Sequence, residues 1–156
     1  MLFIPILFIL ALDQFTKYLV TKSLILHESF PVIKGIFHLT LVANRGAAFG
    51  ILKDQTLVFI FTAILVIILI SVHLSPIFSK GLRKDKGKHG VYRIAMAFIL
   101  SGALGNLIDR LRFGYVIDFL DLRIWPVFNL ADCAITLGAI LLGWSIIFKK
   151  IHPHNL

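Results

Sequence analysis

Four long apolar stretches constrain the fold of this 156-residue chain more than any other feature. At about 1.5 Å of rise per residue, a helix over each stretch is long enough to cross a hydrocarbon layer roughly 30 Å thick. The predicted helices are Leu2–Val20, Thr56–Leu74, Val91–Leu111 and Val127–Phe148. We therefore expect an all-α membrane protein with four transmembrane helices.

The composition agrees with a membrane protein, because 58% of the residues are hydrophobic and only 15% are charged. We expect one integral membrane domain over residues 1–156. The net charge of +8 does not indicate nucleic acid, since the basic residues cluster at the ends of segments. Leu2–Leu12 lacks the basic start and the cleavage site of a signal peptide, and Asp13 and Lys17 follow it. It is expected to be part of a retained first helix.

Residues Phe30–Asp54, between the first two helices, are too polar to span a membrane. Phe37, Leu39 and Leu41 alternate with other residues, which predicts a short strand or hairpin. The small residues of Asn44–Gly50 suit a turn that approaches a helix or ligand closely. We expect this segment to be a small extracytoplasmic β-rich region.

The basic residues predict the orientation of the helices. The short link between helices two and three contains Lys80, Arg83, Lys84, Lys86 and Lys88, and Lys149 and Lys150 follow helix four. The positive-inside rule makes this link and both termini cytoplasmic. The polar residues of the other helix ends then meet at the outer face: Asp13, Lys17, Asn44, Arg45, Asn106, Asp109, Arg110, Asn129 and Asp132.

Asp118 and Asp132 are the candidate reactive groups, because carboxylates beside hydrocarbon are costly and usually functional. They lie on either side of a loop whose ends meet at adjacent helices, so they can approach each other. Hydrolysis of an amide without a metal needs one ionised and one protonated carboxyl, and two aspartates held close together supply both. The alternative is that Asp132 caps its own helix and Asp118 is an ordinary loop acid.

The other polar residues permit two kinds of role. Asp13 and Lys17, four residues apart, are expected to form an intrahelical ion pair that braces a neighbouring site. Arg110 could neutralise Asp109, or it could bind a substrate carbonyl or phosphate through its planar fork. The spacing leaves both alternatives open. Gly102 and Gly105 are expected to allow close helix packing.

Other chemistries fit less well. The chain has no His-Glu-x-x-His zinc signature. Ser101 has no histidine at the outer helix ends to serve as its base, and Cys133 is expected to be a small apolar residue of helix four. Asp118 and Asp121 could hold Mg²⁺, but a single pair of acids is a weak signal. We expect neither a metal nor another cofactor.

Five motifs resemble those of the bacterial lipoprotein signal peptidases (signal peptidase II). In chain order they lie at Asp13–Lys17, Asn44–Gly50, Gly102–Arg110, Val116–Phe119 and Phe128–Asp132. The resemblance implies an aspartic intramembrane endopeptidase that removes signal peptides from prolipoproteins, cutting just before the diacylglyceryl-modified cysteine. It also implies inhibition by globomycin-type compounds. Ser101 and Cys133 depart from the family pattern without removing a functional group.

The resemblance also implies roles for individual residues. Asp118 and Asp132 match the catalytic dyad. The residues that match the lining of the site are Asn44, Asn106, Arg110 and Asn129, and those that match supporting positions are Asp13, Lys17 and Asp109.

The expected partners are lipid-modified prolipoproteins and membrane lipids, with no nucleic acid. The expected form is a monomer in the bacterial inner membrane, with its active site near the outer face. The alternative function is a small proton-coupled transporter, since membrane acids, lysines and amides also mark proton relays. A relay, however, would distribute its polar residues through the depth of the bilayer.

Overall fold

The computed structural model describes residues 2–46, 54–75 and 90–151. Its helices are α1 (Phe3–Ser23), α2 (Thr56–Leu74), α3 (Gly90–Phe113) and α4 (Leu130–Ile151). Its strands are β1 (Ser29–Ile33) and β2 (Phe37–Asn44) between α1 and α2, and β3 (Val116–Asp121) between α3 and α4. The predictions for Ala47–Gly50, for the basic link at 80–88 and for the tail beyond residue 151 concern residues outside this description.

All four helices are long and apolar enough to cross a membrane, which confirms the predicted fold class. Helix α2 has the highest mean hydropathy, 2.9, and only 6% of its apolar 18-residue stretch is buried inside the protein. In α3 half of the corresponding stretch is buried, because this helix packs against α1, α2 and α4. Helix α3 is therefore the centre of the bundle, and α2 leaves most of its surface for lipid.

Glycines allow α3 and α4 to approach closely. A Cβ atom at Gly138 of α4 would lie 2.7 Å from the carbonyl oxygen of Ala95, and one at Gly102 of α3 would meet the carbonyl of Ala131. This agrees with the packing role predicted for Gly102. Gly105 has an additional role, because its Cβ would lie 2.6 Å from a carboxylate oxygen of Asp13.

The three strands form one antiparallel sheet in the order β1-β2-β3. The β1–β2 hairpin confirms the β-rich segment predicted between α1 and α2, and Pro31 lies on its edge strand, where proline is tolerated. Strand β3 was not predicted, because Asp118 was expected to lie in a loop or at its end. Residues 116–119 are all buried, so the strand lacks the alternation of a half-exposed strand.

Two local features position β3 beside the start of α4. Gly114, with a φ of 79°, ends α3 by donating its backbone N–H to the carbonyl of Arg110 at 3.0 Å. Phe128 then pairs with Leu120 of β3 through hydrogen bonds of 2.8 and 3.1 Å between their backbones. The chain is thus tied to β3 directly before α4 begins.

The close packing of α3 and α4 can be tested at two glycines of α4. We expect Gly138→Ala to lower the free energy of unfolding by about 1–3 kcal/mol, because the new methyl group meets the backbone of α3. Gly143→Ala is the matched control, since among the described residues no atom beyond its own stretch of helix lies within 4 Å of the added Cβ. Thermal unfolding in detergent micelles compares the two variants. Equal melting temperatures would contradict this account of the α3–α4 contact.

Candidate active site

Charged and amide side chains from five elements form one hydrogen-bonded network beside the sheet. Its members are Asp13, Gln14 and Lys17 of α1, Asn44 of β2, Asn106 and Asp109 of α3, Asp118 of β3, Asp132 of α4, and Asn129 directly before α4. The structure therefore brings together most of the residues that the sequence suggested as site residues. Within the described residues, the side chains of Arg110 and Arg45 make no hydrogen bond to this network, although the charges of Asp109, Asp118 and Asp132 act on Arg110.

The ammonium group of Lys17 lies at the centre of the buried charges. Its Nζ is 2.9 Å from a carboxylate oxygen of Asp13 and 2.8 Å from one of Asp109. Nζ also donates a hydrogen bond of 3.1 Å to Oδ1 of Asn106. The intrahelical pair predicted between Asp13 and Lys17 is present, and it extends to a second acid on α3.

Both of these acids also accept hydrogen bonds from backbone N–H groups of other elements. Asp13 accepts from Ala131 at 2.9 Å, which satisfies a free N–H at the start of α4. Asp109 accepts from Ile117 of β3 at 3.1 Å. The ion-paired cluster therefore connects α1, α3, β3 and α4.

Gln14 is a member of the network that sequence reasoning did not single out. Its side-chain Nε2 donates to Oδ1 of Asp109 at 3.0 Å and lies 3.2 Å from Oδ2 of Asp13 and from the carbonyl oxygen of Gly105. The available signal was an amide side chain directly beside Asp13 within an apolar helix. Gln14 helps to hold the two acids that share Lys17.

Asn129 and Asp132 cap the start of α4 reciprocally. The backbone N–H of Asp132 donates to Oδ1 of Asn129 at 2.9 Å, and the backbone N–H of Asn129 donates to Oδ2 of Asp132 at 3.3 Å. This is the arrangement of a capping box, with aspartate in place of the more common glutamate. It explains why α4 begins at Leu130 rather than at Val127, where the sequence placed it.

Asn129 also connects Asp132 to Asp118. Its Nδ2 donates a hydrogen bond of 2.7 Å to Oδ1 of Asp118. Oδ2 of Asp118 accepts from Asn44 at 2.8 Å, and Oδ1 of Asp132 accepts from Asn106 at 2.8 Å. Asp132 therefore does cap its own helix, as considered from the sequence, and it also lies near Asp118.

The surroundings of Asp118 favour its protonated form. Burial raises the pKa of Asp118 to about 7, and the negative charge of Asp132 acts in the same direction. The hydrogen bonds from Asn44 and Asn129 and the charge of Lys17 oppose this rise. Asp118 can thus hold a proton close to neutral pH beside a second carboxyl group.

Arg110 does not neutralise Asp109, because Lys17 already occupies that acid. Within the described part of the chain Arg110 has no ion pair, and its guanidinium lies 4.8 Å from the ring centroid of Phe59 on α2. Phe59 was not singled out from the sequence. Of the two roles considered for Arg110, binding a substrate is the one that this geometry leaves open. Arg45 is exposed, with its guanidinium 6.0 Å from the ring of Tyr115.

The other candidate residues have separate local contacts. Asp121 accepts hydrogen bonds from Thr40 at 2.7 Å and from Arg123 at 2.8 and 3.0 Å, so its partners differ from those of Asp118. These contacts disfavour a Mg²⁺ site shared by the two acids. Ser101 donates to the carbonyl of Phe98 in its own helix, and Cys133 is a half-buried thiol.

Spanning helices that enclose a buried network of acids, amides and one lysine define a multi-pass membrane protein with an enzyme-like polar site. Residues 5–148 match the family model described as signal peptidase (SPase) II. The chain therefore belongs to the signal peptidase II family, a family of bacterial membrane peptidases.

Individual relatives agree with this assignment. The lipoprotein signal peptidase of Moorella thermoacetica is 51% identical over 141 residues, which cover 90% of this chain and 89% of the relative. That of Halothermothrix orenii is 47% identical, with 91% and 92% covered. A bacterial membrane enzyme solved by the in meso method at 2.3 Å resolution superposes with a TM-score of 0.86 at 30% identity, covering 99% of this chain and 92% of that one.

The protonation of Asp118 can be tested through the pH dependence of stability. Between about pH 4 and pH 7 the folded protein keeps a proton on Asp118 that the unfolded chain releases. The free energy of unfolding should therefore fall as the pH rises through this window, by roughly 4 kcal/mol from this group.

The measurement is thermal unfolding in detergent micelles at a series of pH values. Asp118→Asn should make the stability decline less steeply with rising pH, whereas Asp54→Asn, at an exposed acid, should leave the decline unchanged. An Asp118→Asn profile parallel to that of the wild type would show that Asp118 does not hold the proton.

Proposed function

We propose that this chain is an aspartic intramembrane endopeptidase that removes signal peptides from diacylglyceryl-modified prolipoproteins, cutting just before the lipidated cysteine. Relatives named lipoprotein signal peptidase, one of them 51% identical to it, support the substrate class. The observation that carries the aspartic mechanism is the linkage of Asp118 and Asp132 through Asn129 in a buried site. The raised pKa of Asp118 supports the presence of one protonated carboxyl group.

The proposed reaction begins with one ionised and one protonated carboxyl. Water attacks the carbonyl carbon of the scissile amide, the ionised carboxylate takes a proton from that water, and the protonated carboxyl gives its proton to the carbonyl oxygen. The resulting gem-diol collapses when the first carboxyl donates its proton to the amide nitrogen and the C–N bond breaks. The second carboxylate then takes a proton from a diol hydroxyl, and the starting state returns.

The amides around the pair would fix its geometry. Asn44 and Asn129 hold the two oxygens of Asp118, and Asn106 holds one oxygen of Asp132. Carboxyl groups held in this way need little reorganisation when charge moves between them during the reaction. No metal or other cofactor is needed for these steps.

Arg110 is the proposed contact for the substrate backbone. Its side chain is half-buried, its guanidinium lies over the ring of Phe59, and within the described residues no acid lies within ion-pair distance of it. A guanidinium group placed in this way can donate its fork of N–H groups to a peptide carbonyl. The side-chain amide of Asn44 lies on the sheet side of the same region and is proposed to hold the substrate from there.

The proposed setting is the bacterial inner membrane, with both termini cytoplasmic and the active site near the outer face. The lipid-anchored substrate would reach the site sideways from the bilayer, with its acyl chains between helices. We further propose a monomer that contacts membrane lipids and is inhibited by globomycin-type compounds. Family membership favours this peptidase over the proton-coupled transporter considered as an alternative.

The aspartic mechanism can be tested by replacing each acid of the pair. Asp118→Asn and Asp132→Asn should each reduce processing of a lipid-modified precursor by about a thousandfold or more, because the pair loses either its acid or its base. The rate is measured in detergent micelles with the purified variants. Wild-type processing by either variant would refute the dyad.

Asp121→Asn, on the same strand as Asp118, is the matched control and should process at a rate within about fivefold of the wild type, since its contacts are structural. A chelator should leave the wild-type rate unchanged. A loss of rate that added Mg²⁺ restores would instead favour a metal held by Asp118 and Asp121.

A further inference from the structure

The proposed reaction gives no role to Lys17, although its ammonium is one of the most deeply buried groups in the described part of the chain. Two of its contacts are the carboxylates of Asp13 and Asp109. The third is a neutral amide oxygen, Oδ1 of Asn106, at 3.1 Å. Through this third contact, Lys17 is connected to the aspartate pair.

Asn106 donates a hydrogen bond to only one carboxyl group of the pair. While its oxygen accepts from the ammonium, its Nδ2 donates to Oδ1 of Asp132 at 2.8 Å. An amide polarised by a cation at its oxygen is a stronger donor at its nitrogen, because hydrogen bonds in a chain reinforce one another. Asp118 receives its hydrogen bonds from Asn44 and Asn129 instead. Nδ2 of Asn129 also donates to Oδ1 of Asn106 at 3.1 Å, so Asp118 is joined to the contact of Lys17 only through a second amide.

The backbone surroundings of Asp132 and Asp118 also differ. Asp132 lies in the first turn of α4 and accepts the N–H of Asn129, so it is at the positive end of a helix. Asp118 lies within a strand, which has no comparable dipole. Both features favour negative charge on Asp132 over Asp118.

The other charged and titratable groups near the pair must be weighed against Lys17. They are Asp13 of α1, Asp109 and Arg110 of α3, and Cys133 of α4. The negative charges of Asp13 and Asp109 weaken the positive field of Lys17. Each of these carboxylates also accepts a backbone N–H, from Ala131 and Ile117 respectively, and these N–H dipoles offset part of the negative charge. Arg110 lies over Phe59 and places a positive charge near both Asp132 and Asp118, whereas Lys17 is joined to Asp132 through a single amide.

We propose that Lys17 is a positioning residue that acts through Asn106 to hold the negative charge of the aspartate pair on Asp132 and to leave the shared proton on Asp118. Asp132 then takes the proton from water, and Asp118 donates to the carbonyl oxygen. This inference rests on the proposed aspartic mechanism and adds the direction of proton transfer to it.

The pH dependence of kcat/KM tests this assignment. The acid limb of the profile reports protonation of the ionised carboxylate, and the alkaline limb reports loss of the proton from the other carboxyl. In Lys17→Met the acid limb should move to higher pH by on the order of one unit, with a smaller movement of the alkaline limb. The precursor and detergent are the same for all variants.

Three further variants separate charge from structure. Asp109→Asn removes a negative charge beside Lys17 and should move the acid limb in the opposite direction, to lower pH. Lys17→Arg keeps the charge and should keep the position of the profile. Lys22→Met is the matched control, since Lys22 lies on the exposed side of the same helix, 5.9 Å from the ring of Tyr18, and its profile should match the wild type.

A purely structural role for Lys17 would lower the profile without moving it, and that result would overturn the inference. Movement of the alkaline limb alone would place the charge on Asp118 and would also overturn it. If Lys17→Met does not fold, Asp109→Asn decides, because an acid limb that stays or rises contradicts the proposal. Full activity of Asp118→Asn or Asp132→Asn would instead refute the aspartic mechanism itself.

Discussion

The ammonium of Lys17 is shared between the carboxylates of Asp13 and Asp109, and the rest of the polar interior depends on this interaction. An isolated ion in such an environment costs several kcal/mol, so it must be paired and hydrogen-bonded. Each carboxylate also accepts a backbone N–H from another element, and Gln14 donates to Asp109. The cluster therefore fixes α1, α3, β3 and α4 relative to one another.

The aspartate pair uses this fixed frame. Asp118 is positioned by β3, which Phe128 ties to the start of α4, and Asp132 is positioned by its capping box with Asn129. Among the described residues, no buried side-chain nitrogen or oxygen lacks a hydrogen-bond partner. Because its polar groups already have their partners, such a network is expected to hold its acids in place in advance, as a site pre-organised for charge transfer requires.

Sequence reasoning predicted the features that depend on length, spacing and chain order. The four spanning helices followed from length and hydropathy, and the Asp13–Lys17 pair followed from its spacing. Features set by contacts distant in the chain were missed. The spacing allowed Asp109 to pair with its neighbour Arg110, but its ion pair is with Lys17 from another helix. Strand β3 was missed because it is covered on both faces, so its sequence does not alternate.

The joint action of Asp118 and Asp132 can be tested with a structure of the protein bound to a lipopeptide analogue, in which a hydroxyl-bearing tetrahedral carbon replaces the scissile carbonyl. We expect carboxylate oxygens of both Asp118 and Asp132 to lie within hydrogen-bonding distance of that hydroxyl, with Asn129 still bridging the two residues. A hydroxyl bound by only one of the aspartates, or by a metal ion between Asp118 and Asp121, would contradict it.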